Sequence, residues 1–288
     1  LDWISCNSSG GCAIDLFRFN TVSCMIKKIF LILFIFNSAH SIEFTGKFEQ
    51  GSFILGKTEP GSEIKIDKKK IRVTKDGFFA FGIGRDRKNN ILIEFKRDKE
   101  KITYEKKILK RKYKVQRIDG LPSKQVTPPP EVYERIKEDN KKIIKAREKN
   151  SDLDYFKNKF INPLEKYIVT GVYGSQRILN GKPRSPHYGI DFHAPEGTPI
   201  KAMLDGEVSL IEEDMYYTGG TIIFDHGHGI STLYMHMKEI YVKENETIKQ
   251  GQIIGTLGKS GRATGPHLDV RLNWFGVKLD PSSVLSLK

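Results

Sequence analysis

Short runs of alternating apolar and polar residues, each closed by a turn residue, fill the chain from Glu43 to Lys114. Phe53-Ile54-Leu55-Gly56, Ile64-Lys65-Ile66, Ile71-Arg72-Val73 and Phe78-Phe79-Ala80-Phe81 read as strands, because a period of two puts every second side chain on one face. Ile91-Leu92-Ile93-Glu94-Phe95 and Ile102-Thr103-Tyr104 continue the series, and Pro60-Gly61 and Asp76-Gly77 mark turns. Strands this short at this spacing predict a small β-sandwich-like domain over 42–116. There the pattern breaks. Gly120-Leu121-Pro122 and Thr127-Pro128-Pro129-Pro130 support neither strand nor helix and predict an extended linker. From Glu131 to about Asn150, Val132, Ile136, Ile143 and Ile144 recur near helical spacing among Glu, Lys and Arg. This predicts one long exposed helix after the prolines, running on in broken form to Tyr155-Phe156. Linker and helix together take up 117–164.

From about Tyr167 to Val284 the pattern is again that of strands, punctuated by glycine. The strand-like runs are 200–203, 206–211, 221–224, 232–234, 253–257 and 267–272, and no ten-residue helical pattern interrupts them. The chain is therefore expected to be mainly β, with an antiparallel β domain over 165–288.

The front of the chain has a different character. Met25-Ile26-Lys27-Lys28 is a short basic start, Ile29 to Phe36 is an apolar run, and Ser38-Ala39-His40-Ser41 offers small residues for cleavage after Ser41. Residues 25–41 thus read as a secretory signal peptide, since the apolar run is well short of the roughly 20 residues that span a bilayer. Residues 1–24 then read as a non-native upstream segment. Cys6, Cys12 and Cys24 all precede Met25, so a chain cleaved after Ser41 has no cysteine. Any metal it holds must use histidine and carboxylate. The expectation is an exported protein of the periplasm or cell envelope without a stable membrane span. Charge sharpens this: 42–116 carries 21 Lys and Arg against 11 Asp and Glu, while 165–288 has 13 against 14. A basic front half fits an anionic neighbour such as cell-wall polymer, and export makes nucleic acid the least suitable.

Six of the seven histidines lie between His187 and His267. His187 and Asp191 are four apart and His267 and Asp269 two apart, spacings that put each pair on one face of a strand. Two such strands can build a mononuclear metal site, and three protein ligands plus water is the usual arrangement of catalytic zinc. A further histidine near the water can act as general base or stabilise an oxyanion.

Asn180-Gly181-Lys182-Pro183-Arg184-Ser185-Pro186-His187-Tyr188-Gly189-Ile190-Asp191 resembles the first metal motif of the lysostaphin-type (LytM-domain) zinc peptidases. Gly197-Thr198-Pro199-Ile200, Asp225-His226-Gly227, Tyr234-Met235-His236 and the run from Gly258 to Gly265-Pro266-His267-Leu268 fit the same family in the same order. The resemblance covers roughly 165–285 and implies a LytM-type fold and a zinc-dependent endopeptidase that cuts peptidoglycan cross-links or stem peptides. It places His187 and Asp191 on Zn²⁺ and gives catalytic roles to His236 and His267. The last motif of the family is His-x-His, and here its second histidine is Asp269, a carboxylate at the ligand's spacing that adds a negative charge. Peptidoglycan is the implied partner, with other cell-wall or division proteins as further candidates. The rival reading is a non-catalytic LytM-domain protein that binds peptidoglycan or activates a cell-wall amidase. Of the remaining residues, His193 is expected in a cleft wall and His226 and His228 as structural or surface groups. Tyr234 is expected packed or lining the cleft. Arg177 and Arg262 are expected as surface arginines, with partners of substrate carboxylates as the alternative role.

Overall fold

The first seven strands build two small sheets, most of them turning alternate side chains inward, while Phe53–Lys57 and Phe78–Gly82 are buried on both faces. The computed structural model describes residues 42–120 and 126–285. In chain order these strands are β1 (Glu43–Thr45), β2 (Phe53–Lys57), β3 (Glu63–Ile66), β4 (Lys69–Ile71), β5 (Phe78–Gly82), β6 (Ile91–Arg97) and β7 (Glu100–Lys106). β1, β2 and β5 form one antiparallel sheet, and β4, β3, β6 and β7 form another. Ile91, Ile93 and Phe95 turn inward from β6 while Leu92 and Lys96 face out, the period of two expected of a half-buried strand. β4 begins two residues earlier than the alternation predicts. Asp67 and Lys68 both adopt positive φ, 47° and 70°, as a two-residue hairpin loop requires.

Next come β8 (Val115–Ile118), a 3-10 turn over Pro130–Val132, helix α1 (Tyr133–Arg147) and a second 3-10 turn over Tyr155–Lys157. The helix is a little shorter than its charged stretch. Ile143 and Ala146 pack on Leu210, Met215, Ile223 and Leu233, and Arg135–Asp214 and Lys142–Glu212 ion pairs flank that contact. The expected signal peptide over 25–41, the segment 1–24 with its three cysteines, and Leu121-Pro122 of the linker lie outside the described residues. Among those described, no helix is long and apolar enough to cross a membrane.

The rest is strand: β9 (Ile168–Gly171), β10 (Gln176–Leu179), β11 (Lys182–Pro183), β12 (Ile190–His193), β13 (Pro199–Lys201) and β14 (Gly206–Met215). Then follow β15 (Gly219–Asp225), β16 (Ile230–Ile240), β17 (Thr247–Ile248), β18 (Ile253–Leu257), β19 (Leu268–Trp274) and β20 (Val277–Leu279). The main sheet runs β17-β14-β15-β16-β19-β12-β9, with β18 joining β13 to β16 and β20 beside β19. Every pairing in it is antiparallel. β8 departs from this, lying parallel to β10. A continuous apolar core joins Phe79 and Phe81 of β5 to Leu279 of β20 and on to Ile222 and Tyr234.

Candidate metal centre

β12 and β19 are neighbours, and their register sets Asp191 directly opposite Asp269. Like charges facing across paired strands are destabilising, and here both are buried, at 8% and 3% exposure. Two glycines make the room. A Cβ on Gly171 would collide with the Asp191 carboxylate, and one on Gly189 with that of Asp269.

His187 completes the group, but not by the expected route. It lies in the loop before β12, and His267 sits just ahead of β19, so neither shares a strand with its aspartate. The loop is held by its backbone: His187 N donates to Ser175 O at 2.9 Å and Gly174 N to His187 O at 2.7 Å. The ring is 2% exposed. Its Nε2 stands 3.2 Å from Asp191 Oδ1 and 3.9 Å from Asp269 Oδ1. One ligand atom from each residue falls within 4.8 Å of the others. His187 Nε2 and Asp191 Oδ1 are buried without a hydrogen-bond partner, a combination that a shared cation satisfies. By donor set and by these two orphaned atoms, the three residues fit a metal ion.

Two arginines were not assigned to this cluster from sequence. Arg271 grips Asp269 through Nε at 3.3 Å and Nη2 at 2.9 Å. Asp-x-Arg on a strand puts both side chains on one face, and that spacing was the available signal. Arg177 Nη2 reaches His187 Nδ1 at 2.6 Å and Asp191 Oδ2 at 3.3 Å. With Arg177 donating to Nδ1, the neutral ring carries its proton on Nε2, so a cation at Nε2 requires Arg177 to draw back. Burial pushes His187 down to about 3 and keeps it neutral, as a ligand must be. Burial, and then the charge of Asp269, push Asp191 up. Burial is the largest single influence on Asp269 and pushes it up, but Arg271 together with His187 and His236 outweighs it and holds that carboxyl down.

His236 and His267 face each other with ring centroids 4.6 Å apart. On β16, Met235 and His236 together oppose the single residue Thr221 of β15, a bulge that turns the strand locally. His236 takes φ of 65° there, a strained choice for a non-glycine residue. Its Nδ1–H donates to Ser260 O at 2.8 Å, and the Nδ1–H of His267 donates to Gly265 O at 2.9 Å. Each ring thereby keeps a proton-free Nε2. Burial lowers His236 to about 4.

The other candidates separate cleanly. His193 is exposed at the end of β12, with Nδ1 donating to Pro266 O. His226 and His228 are buried and so are not surface groups. Tyr234 is packed, its hydroxyl accepting from Met203 N at 2.8 Å. Arg262 lies over the Tyr217 ring at 4.1 Å. All five site residues line one groove of about 1200 Å³, along whose wall α1 lies.

Residues 185–281 match the sequence model of peptidase family M23, and the chain carries a domain of that family. It is the lysostaphin-type family that the motifs around His187, His236 and His267 resemble. Among curated relatives, the peptidoglycan DD-endopeptidase ShyC of Vibrio cholerae is 36% identical over 127 residues, 43% of this chain and 28% of that protein. The DD-carboxypeptidase/endopeptidase Mpg of Neisseria meningitidis is 37% identical over 98 residues, 34% of this chain and 22% of that protein. The chain thus spans less than a third of the length of these relatives. A crystal structure assigned to peptidase M23 from Pseudomonas aeruginosa superposes with a TM-score of 0.60 at 22% identity. That superposition covers 85% of this chain and 92% of the other, a likeness of fold alone.

Proposed function

We propose that the chain is a zinc-dependent endopeptidase of the cell envelope that hydrolyses a peptide bond in peptidoglycan, in a cross-link or a stem peptide. The observation that carries this is the Asp191–Asp269 pair set face to face beneath an unpartnered His187 Nε2. His187, Asp191 and Asp269 hold the metal. Bound zinc would acidify a water and polarise the substrate carbonyl. A ligand set with a histidine as its third member would carry one negative charge, and Asp269 makes it two. Arg271 returns one positive charge to the set and leaves its balance as a histidine at that position would.

Proton transfer falls to His236 and His267. Each is anchored through Nδ1 on a backbone carbonyl, so each presents Nε2 as an acceptor in fixed orientation. Burial keeps His236 neutral at pH 7. One of these rings takes a proton from the attacking water, and that proton can pass to the departing amine.

The same reading takes 25–41 as the export leader, 1–24 as upstream of it, and 42–116 as a basic β module that helps hold the protein on the anionic wall. In it 117–164 is the linker and helix, and 165–288 the peptidase domain, with wall or division proteins as further partners. The test is the protein loaded with zinc and incubated with purified sacculi. New amino groups should appear, and His267→Ala should abolish them while zinc content stays at one per chain. Bound zinc with no release of amino groups would sink the enzyme reading.

A further inference from the structure

The face of β19 that carries Asp269 continues through Arg271 and Asn273, and all three line the groove. Lys278 of β20 and Arg147 from the last turn of α1 line the same stretch. Arg147 is 9% exposed, its Nη2 donates to Phe275 O at 3.1 Å, and its Nε is buried without a partner. Nδ2 of Asn273, 1% exposed, is also unpartnered. Lys278 Nζ lies 4.1 Å from the centre of the Tyr188 ring.

The cations here are unbalanced. Arg271 is spent on Asp269. Among the described residues neither Arg147 nor Lys278 has a carboxylate within ion-pair distance, and Glu148, the one acid that acts on Arg147, is exposed. Burial and the charge of Arg271 push Arg147 down to about 10. Burial, then Arg271 and Arg147, lower Lys278. The three cations therefore sit close enough to repel one another, in a place where an unpaired charge is costly. An anion entering here would relieve that repulsion and find two unused donors, Nε of Arg147 and Nδ2 of Asn273.

We propose that this end of the groove is a carboxylate subsite, in which Arg147, Lys278 and Asn273 hold a carboxylate of the peptide substrate. It rests on the peptidase reading of the neighbouring metal ligands. At about 3.3 Å per residue, Arg271 and Asn273 lie roughly 7 and 13 Å along β19 from Asp269. An extended substrate would thus bring its carboxylate two to four residues from the bond that is cut. The specificity implied is for acidic peptides over their amidated counterparts.

Two versions of one synthetic cross-linked wall peptide test this, one with free carboxylates and one with those carboxylates amidated. With the full zinc-loaded chain, the free acid should be cleaved with a kcat/KM about tenfold higher, the gain of one charge-assisted contact. Lys278→Glu should bring that ratio to one or reverse it, whereas a merely structural defect would lower both rates and leave the ratio alone. Arg147→Gln should shrink the ratio in the same direction. Calorimetry with metal-stripped protein reads the same preference without turnover. If neither peptide is cleaved but the free acid still binds better, the peptidase reading falls and the subsite stands. Equal rates and equal binding for the two peptides would overturn the subsite.

Discussion

His187 and His226 are both buried histidines beside the main sheet, and they differ in what their nitrogens meet. At the end of β15, His226 donates from Nδ1 to Asp205 O at 2.7 Å and accepts at Nε2 from the Thr232 hydroxyl at 2.8 Å. His187 has an arginine at Nδ1 and, at Nε2, two carboxylates without a hydrogen bond. One ring is saturated and holds the fold together. The other is left unsatisfied against two like charges, an arrangement that opposes folding until a cation enters. Burial alone does not mark a functional histidine, nor does an unpaired nitrogen alone, since His228 Nδ1 is also buried without a partner; the two carboxylates facing Nε2 do.

The sharpest break between the two corners should come from Asp191→Asn. It removes a ligand and a like-charge pair together, so kcat/KM on sacculi should fall roughly a thousandfold, about 4 kcal/mol in the barrier. Metal-free protein should at the same time melt no lower than wild type, because the repulsion has gone. A variant that loses metal and also unfolds early would erase the distinction. His226→Ala should do the opposite. Two buried hydrogen bonds and a ring are lost, so stability should drop by about 3 kcal/mol in urea titrations while zinc content stays at one per chain.

The same ring predicts a pH effect. Burial pushes His226 down to about 4 from an ordinary 6.5. Between those values the unfolded chain takes up a proton that the folded chain refuses. Its contribution is intact above pH 6.5 and is lost as pH falls towards 4, about 3 kcal/mol for this residue. Urea midpoints that stay level from pH 7 to 4.5 would contradict it.

Smaller effects belong to the arginines. Without Arg271 the full charge of Asp269 reaches the metal, so Arg271→Gln should slow hydrolysis about tenfold to a hundredfold. The rising limb of its pH–rate profile should also move to higher pH. Arg177→Met removes the cation that competes for His187. Chelator competition should show zinc held about tenfold more tightly, the smallest of these changes, equivalent to roughly 1.4 kcal/mol.

Much of this site could be read along the chain, because ligand types at fixed spacings survive without a fold. His187, Asp191, Asp269, His236 and His267 all stand in one groove. What spacing could not supply was register. Asp191 meets Asp269 because β12 pairs with β19, a contact between segments far apart in sequence. The bulge at His236 exists only through its pairing with β15. β6 announced itself through Ile91, Ile93 and Phe95, whereas Val115-Gln116-Arg117-Ile118 of β8 follows a lysine-rich stretch and offers no apolar face to read. The Asp67-Lys68 turn was hidden in the same way by a run of like side chains.

The β8–β10 pairing bears on how the chain can be cut. Val115–Ile118 covers the backbone of Gln176–Leu179 along its whole length. Nearby, Arg111 pairs with the buried Asp280 at 2.7 Å and Gly82 lies against Leu279. A recombinant fragment beginning at residue 165 would keep His187, Asp191, His236, His267 and Asp269 yet expose a bare strand rim. Such a rim takes up whatever strand is offered, including the same strand of another copy. Crystallisation or assay of the isolated C-terminal piece would then report on a self-paired species, while a fragment beginning at residue 42 would not.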